Sequence, residues 1–219
     1  MNMKTPDSDA YRALLDSFQG ETLSEEQKDA QVAFRERVLR ENELQNLTRL
    51  TSPQDFFEGH FLDAWHLTKT GWISQGRGLE IGSGGGIPGI PAALLSDSHW
   101  VLSDSEGRKA DFLDATAMEM GLSPRVEAFS GRAETFLKNE SVDWIVARAV
   151  GPVGRIFAWL ENCSTWNTLI LLKARGWEEE WSSPDARKAR ARLSIAATHE
   201  YSVGADQKYR VIVRLERKR

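Results

Sequence analysis

Gly78-Leu79-Glu80-Ile81-Gly82-Ser83-Gly84-Gly85-Gly86-Ile87-Pro88-Gly89-Ile90-Pro91 reads as a short buried strand, a glycine turn and the start of a helix. Leu79 and Ile81 supply the apolar strand. Glycines from Gly82 to Gly86 let the backbone turn tightly and come close to a ligand, and Pro88 suits a first helical turn. A nucleotide-like cofactor is the usual occupant of such a turn. A glycine-rich connection holding nothing is the plainer alternative, although so many glycines give up order that packing alone does not require. No Gly-Lys-Ser/Thr follows, which excludes a Walker phosphate loop.

The spacing discriminates between cofactors. A dinucleotide fingerprint can be laid on Gly84, Gly86 and Gly89, but it starts two residues late, since a phosphate-binding turn follows its strand directly. Counted from the strand end, the glycines are Gly82, Gly84 and Gly86, with Glu80 inside the strand. That pattern resembles the first motif of S-adenosylmethionine (AdoMet) methyltransferases.

Outward from this turn, strands and helices alternate from Arg77 on, which predicts a parallel sheet wound on both faces. Strands are expected near 77–81, 99–104, 125–130, 143–148, 167–173, 193–201 and 209–216, with helices most evident over 108–120 and 153–162. The last two strands are separated only by a Gly204-containing turn. The fold class expected is therefore α/β, a Rossmann-like class I AdoMet-methyltransferase sheet of seven strands, mostly parallel, closed by an antiparallel hairpin. Ahead of it, residues 1–9 read as a loose terminus and Tyr11, Leu14, Leu15 and Phe18 as a short amphipathic helix. Ser24 with Gln27 makes a capping box for a helix reaching about Asn42, and a third helix is expected from Gln54 to about Lys69. Residues 1–70 then form a helical extension packed on a main domain of residues 71–219.

A chain of 219 residues suits this one domain with its extension. The net charge of -4 carries no global nucleic-acid signature, yet from Arg187 onward ten basic residues face three acidic ones. This is either a local basic surface or a solvated face with a basic tail. One cysteine, Cys163, excludes an internal disulfide or a cysteine metal cluster, and the scattered histidines suggest no metal. With no apolar run of membrane length and no signal-like start, a cytoplasmic protein without a membrane partner is expected.

Ligands of such sheets sit outside the carboxyl ends of the strands. Asp104 closes the second strand and can accept ribose hydroxyls or, alternatively, cap the next helix. The turn Gly131-Arg132-Ala133-Glu134 after the third strand can offer backbone groups to an adenine edge, or Glu134 can serve as a helix cap. Arg148 interrupts an apolar strand and needs a partner, because burying it unpaired is very costly. That partner is a scaffold carboxylate, or else the cofactor or an anionic nucleic-acid backbone. Lys173 ends the fifth strand, where it is an ordinary snorkelling residue or a phosphate contact. His60 falls on an apolar helical face and reads first as a core histidine.

Missing motifs narrow the chemistry. No Pro-Pro occurs, as an exocyclic amine methylase commonly uses, and Cys163 lies at the far end of a helix, away from where a pyrimidine-C5 nucleophile would sit. A ring nitrogen such as guanine N7 needs neither, because its lone pair carries no proton.

Taken in order, Asn46-Leu47-Thr48, His60 and Asp63, Gly82 to Pro91, Asp104-Ser105, Arg108-Lys109, Phe112-Leu113, Arg132-Ala133-Glu134, Ala147-Arg148-Ala149 and Leu172-Lys173 resemble the small-subunit ribosomal RNA guanine-N7 methyltransferases, the glucose-inhibited division protein B family. The resemblance runs from about 42 to 180. It implies a bacterial enzyme that transfers a methyl group from AdoMet to N7 of a guanine in 16S rRNA, on the small subunit or its precursor; a monomer is expected. By position it implies Gly82, Ile87, Ala133, Glu134 and Arg148 as cofactor residues, to which the glycine turn and the second strand's end add Gly84, Gly86 and Asp104; Asn46, His60, Arg132 and Lys173 are expected to face the substrate. Arg148 and His60 are the candidate catalytic residues. Where the family often has Lys-Gly after the fifth strand, Ala174-Arg175-Gly176 follows Lys173 here. An NAD-dependent Rossmann-fold oxidoreductase and a non-catalytic RNA-binding protein are the rival readings.

Overall fold

The computed structural model describes residues 6 to 218. Four helical segments precede the sheet: α1 (Pro6–Asp16), α2 (Glu25–Gln45), α3 (Pro53–Phe56) and α4 (Leu62–Lys69). The strands are β1 (Arg77–Ile81), β2 (His99–Asp104), β3 (Val126–Ser130), β4 (Trp144–Arg148), β5 (Thr168–Ala174), β6 (Leu193–Val203) and β7 (Lys208–Arg217). Between them run α5 (Gly89–Leu95), α6 (Gly107–Glu119), α7 (Ala133–Phe136), α8 (Val153–Leu160), α9 (Trp177–Ser182) and α10 (Arg187–Arg192).

The sheet order is β3-β2-β1-β4-β5-β7-β6. β1 to β5 pair in parallel, and β7 inserts antiparallel between β5 and β6. Because side chains alternate along a strand, each parallel strand feeds both faces. Trp100, Leu102, Trp144, Val146, Ile170 and Leu172 join one buried cluster, while Leu79, Val101, Ile145, Ala147, Leu169 and Leu171 join the other. Phe56, Phe61, Ala64 and Leu67 belong to the first cluster, so the amino-terminal helices share a continuous core with the sheet. Gly78 is obligatory here, since a Cβ on it would lie 1.8 Å from the Trp144 ring.

Three local expectations are revised. The chain is already helical from Pro6, while residues 1–5 lie outside the described residues. The capping box of Ser24 and Gln27 is formed, but α2 continues past Asn42 to Gln45 because Asn46 adopts the left-handed cap conformation at φ 52°. The third helix starts at Pro53 and is interrupted by a π-turn over Phe57–Phe61, closed by Leu62 N–H donating to the Phe57 carbonyl. Such π-turns interrupt the regular backbone ladder and are frequent at functional sites.

Candidate functional site

Two cavities open at the carboxyl edge of the sheet. The first, about 220 Å³, is lined by Ile81, Gly82, Ser103, Ser105, the turn from Gly131 to Glu134, Val150 and Trp159. The second, about 300 Å³, is lined by Asp63, Arg148, Ala149, Gly151, Leu172, Lys173, Ala174, Tyr201 and Arg210. The segment leaving β4 separates them, with Val150 on one side and Ala149 and Gly151 on the other. Ala149 holds φ at 57°, a conformation uncommon outside glycine, and such strain clusters where structure over-determines a site.

The first cavity combines small residues, Gly82, Ser103, Ser105, Gly131 and Ala133, with larger side chains such as Val150 and Trp159. Gly82 takes φ 63°, and a Cβ there would come within 2.6 Å of Val150 Cγ1. The Gly84 N–H donates to Asp104 Oδ2 at 2.9 Å, and the Glu106 N–H donates to Asp104 Oδ1 at 2.9 Å. Asp104 thus ties the glycine turn to the start of α6. Glu106, not Asp104, occupies the helix-cap position. Each carboxylate oxygen keeps a free lone-pair site beyond these bonds. Gly86 and Ile87 do not line the cavity: Ile87 is buried in the core, and Gly86 sits against Ile90 and Leu113. Gly84 and Asp104 are likewise outside its lining. Arg132 is 70% exposed beside Glu134, at 3.6 Å, and Ala133 opens α7 with Glu134 in its first turn. Inside β1, burial pushes the Glu80 carboxyl up to about 8 against the opposing pull of the Ser83 side chain and the Gly89 amide.

Charge dominates the second cavity. Arg148 Nε meets Asp63 Oδ2 at 3.0 Å, and its terminal nitrogen donates to the Gly59 carbonyl at 2.6 Å. The π-turn is what presents that carbonyl. Tyr201, from β6, donates its hydroxyl to Asp63 Oδ1 at 2.7 Å, and Arg210 Nε stands 3.8 Å from the same oxygen. Asp63 therefore gathers Arg148, Tyr201 and Arg210 on one buried carboxylate. Burial and the Asp63 charge push the Tyr201 hydroxyl well above its ordinary range. Of the partners weighed for Arg148, the scaffold carboxylate is realised, and Arg148 lines the second cavity rather than the first.

His60 is buried. Thr48 Oγ1 lies 2.8 Å from its Nε2, and an Arg148 terminal nitrogen 3.2 Å from its Nδ1. Burial, then the neighbouring Arg148 charge, pushes its imidazole down to about 3, so the ring is neutral at pH 7. Both ring nitrogens are engaged, and His60 is not among the residues lining either cavity. Asn46 is an exposed helix terminus. Lys173 Nζ donates to Glu180 Oε1 at 2.8 Å and to the Gly151 carbonyl at 2.9 Å, which ties α9 to the β4 exit. Asp63 received no separate role from its sequence, and Tyr201, Arg210 and Ala149 carried no signal that singled them out. No group of three or more His, Cys, Asp or Glu side chains able to hold a metal occurs among the described residues.

A parallel sheet whose strand order reverses between β1 and β4, a glycine turn leaving β1, an acid closing β2 and an inserted antiparallel β7 define a class I methyltransferase fold. Solved structures share it. The O-methyltransferase from Bacillus cereus in complex with SAH superposes with a TM-score of 0.57 at 17% identity, covering 95% of this chain and 97% of that one. TrmK of M. capricolum, in complex with S-adenosyl-homocysteine, gives 0.52 at 12% identity over 71% of this chain and 68% of that one. The family model described as GidB, rRNA small subunit methyltransferase G, matches residues 27–208, and the chain belongs to that family. The ribosomal RNA small subunit methyltransferase G of Hahella chejuensis is 34% identical over 140 residues, 64% of this chain and 63% of that protein. Its counterpart in Synechococcus elongatus is 40% identical over 124 residues, 52% of this chain and 50% of that protein. The matched stretch thus spans between half and two thirds of these curated relatives.

Proposed function

We propose that this protein transfers a methyl group from AdoMet to N7 of a guanine in 16S rRNA, in the bacterial cytoplasm and as a monomer. The observation that carries the reading is the pairing of a backbone-lined cavity at the glycine turn with a charged cavity across one thin strand exit. The first suits a nucleoside whose ribose is read by an acid. Gly82, Asp104 and the Ala133-Glu134 turn would hold AdoMet there, and the space a Cβ on Gly82 would invade toward Val150 fits close backbone approach. AdoMet supplies an electrophilic methyl group on a cationic sulfur.

The second cavity suits the acceptor base and its phosphate. Attack by N7 releases no proton, so the site has no need of a free base. The lining agrees: Asp63 is occupied by Arg148 and Tyr201, and Lys173 by Glu180. What the residues contribute is orientation, and holding two reactants in line is worth roughly 7–11 kcal/mol of barrier. Arg148, fixed by Asp63 and the Gly59 carbonyl, sets the acceptor-side wall. His60 and Thr48 hold the π-turn that presents that carbonyl.

Calorimetry with AdoMet is expected to give binding, and methyl mapping of 16S rRNA in cells with and without the gene is expected to lose one guanine-N7 methyl group. An unchanged methyl pattern overturns the reaction. Tight NADH binding with no AdoMet binding moves the protein to the oxidoreductases.

A further inference from the structure

A third cavity, about 390 Å³, lies away from the two at the carboxyl edge and is lined by Phe157, Glu161, Asn162, Lys188, Ala191, Arg192, Arg217 and Lys218. It sits at the amino edge of the sheet. Arg217 ends β7 and donates its backbone N–H to Asn167, immediately before β5. The seven residues of β5 run from there to the second cavity, a rise of ~20 Å at about 3.3 Å per residue. That exceeds the Debye length of about 8 Å at physiological ionic strength, so the two edges act as separate electrostatic surfaces.

The cavity carries four cations and one carboxylate. Lys188 and Arg192 are four residues apart on α10 and therefore share a face, an arrangement of like charges that costs helix stability rather than adding to it. Glu161 faces Lys188 only loosely, at 3.4 Å, and Arg192 has no carboxylate partner among the described residues. Arg217 packs over the Trp166 ring at 4.2 Å and donates to the Cys163 carbonyl, which leaves its buried Nε with no partner. Among the described residues, Lys218 Nζ reaches only the Arg190 carbonyl. Folding alone gives no reason to gather these charges in a hollow on a chain whose net charge is -4. An oxyanion does, because guanidinium and ammonium groups donate and never accept.

We infer that this hollow is a second RNA-binding site, in which Lys188, Arg192 and Arg217 hold phosphodiester oxygens of the substrate's backbone at a distance from the methylated base. It rests on the RNA-methylating reading above, which places a large polyanion against the protein. Its chemistry is that of any phosphate, so the test has to separate RNA from a small phosphate compound.

The double variant Lys188→Gln/Arg192→Gln changes two exposed side chains, with AdoMet affinity and thermal midpoint as controls for folding. Binding of a 16S rRNA fragment is measured across salt concentrations, and binding of inorganic phosphate and pyrophosphate by calorimetry. The expected result is RNA affinity at least tenfold weaker and a salt slope lower by about 1.8, from about 0.9 for each phosphate that is no longer neutralised. Arg217→Gln weakens RNA binding further. Unchanged RNA affinity with abolished pyrophosphate binding overturns the RNA assignment in favour of a small phosphate ligand, and no change in any of these overturns the site. RNA bound by the unaltered protein with this salt response but without methyl transfer sinks the enzymatic reading and leaves the second RNA site standing.

Discussion

The two carboxyl-edge cavities are built from opposite materials. One is walled by small residues of the strand ends and turns together with Ile81, Val150, Trp159 and the Arg132–Glu134 pair, with Asp104 clasping the glycine turn through Gly84. The other is walled by charged and aromatic side chains brought from α4, β4, β5, β6 and β7 and bound to one another before any ligand arrives. A backbone wall recognises by shape and close approach and tolerates no added carbon. A wall of paired charges recognises by orientation, and its weakness is that Arg148, Tyr201 and Arg210 all depend on Asp63.

The contrast can be broken most severely at that carboxylate. Asp63→Ala strands Arg148 and Tyr201, and removing one partner of a buried ion pair costs about 3–5 kcal/mol. Chemical denaturation should register that loss, and methyl transfer should fall by more than the destabilisation explains. Arg148→Ala, which removes the less buried partner (side chains 19% and 5% exposed), should cut transfer at least tenfold with a smaller change in stability. If both variants merely lose stability, the second cavity is only scaffold.

Gly82→Ala tests the other wall. The new Cβ meets Val150 and forces an alanine to φ 63°, at a cost of roughly 1–2 kcal/mol for the left-handed conformation alone. Stability should fall by that amount, and AdoMet affinity should drop as the turn shifts away from Val150, while RNA affinity holds. Equal loss of both ligands would mean that the walls are not separate.

The smallest effect is a pH dependence. Burial holds the imidazoles of His60 and His66 down, to about 3 and about 4, from an ordinary 6.5. Their folded forms bind fewer protons than the unfolded chain below pH 6.5, so stability is full above that value and declines as pH falls through the folded values. His66 stacks on Tyr201 with ring centroids 3.8 Å apart and lies 2.9 Å from His199. Thermal midpoints of His66→Gln should therefore fall less steeply between pH 6.5 and 4 than those of the unaltered protein. Parallel curves would remove His66 from the acid response.

Much of the fold was legible because it depends on local pattern. All seven strands lie within about two residues of the ends expected from the sequence, and the Gly204 turn announced the closing hairpin. The glycine turn and Asp104 were legible for the same reason: the constraint on each lies within a few residues of it. Asp63 was not, because its meaning comes from Arg148, Tyr201 and Arg210, far later in the chain, and no periodicity reaches that far. The π-turn escaped for a subtler reason, since its one additional residue leaves the apolar face of the helix nearly undisturbed.

The exit of β4 is a party wall. Arg148, Ala149, Val150 and Gly151 border the two chambers with only one thickness of chain between them. A tenant on one side that nudges this partition alters the room next door, and thermodynamic linkage makes the influence mutual: whatever factor AdoMet imposes on RNA affinity, RNA imposes on AdoMet affinity.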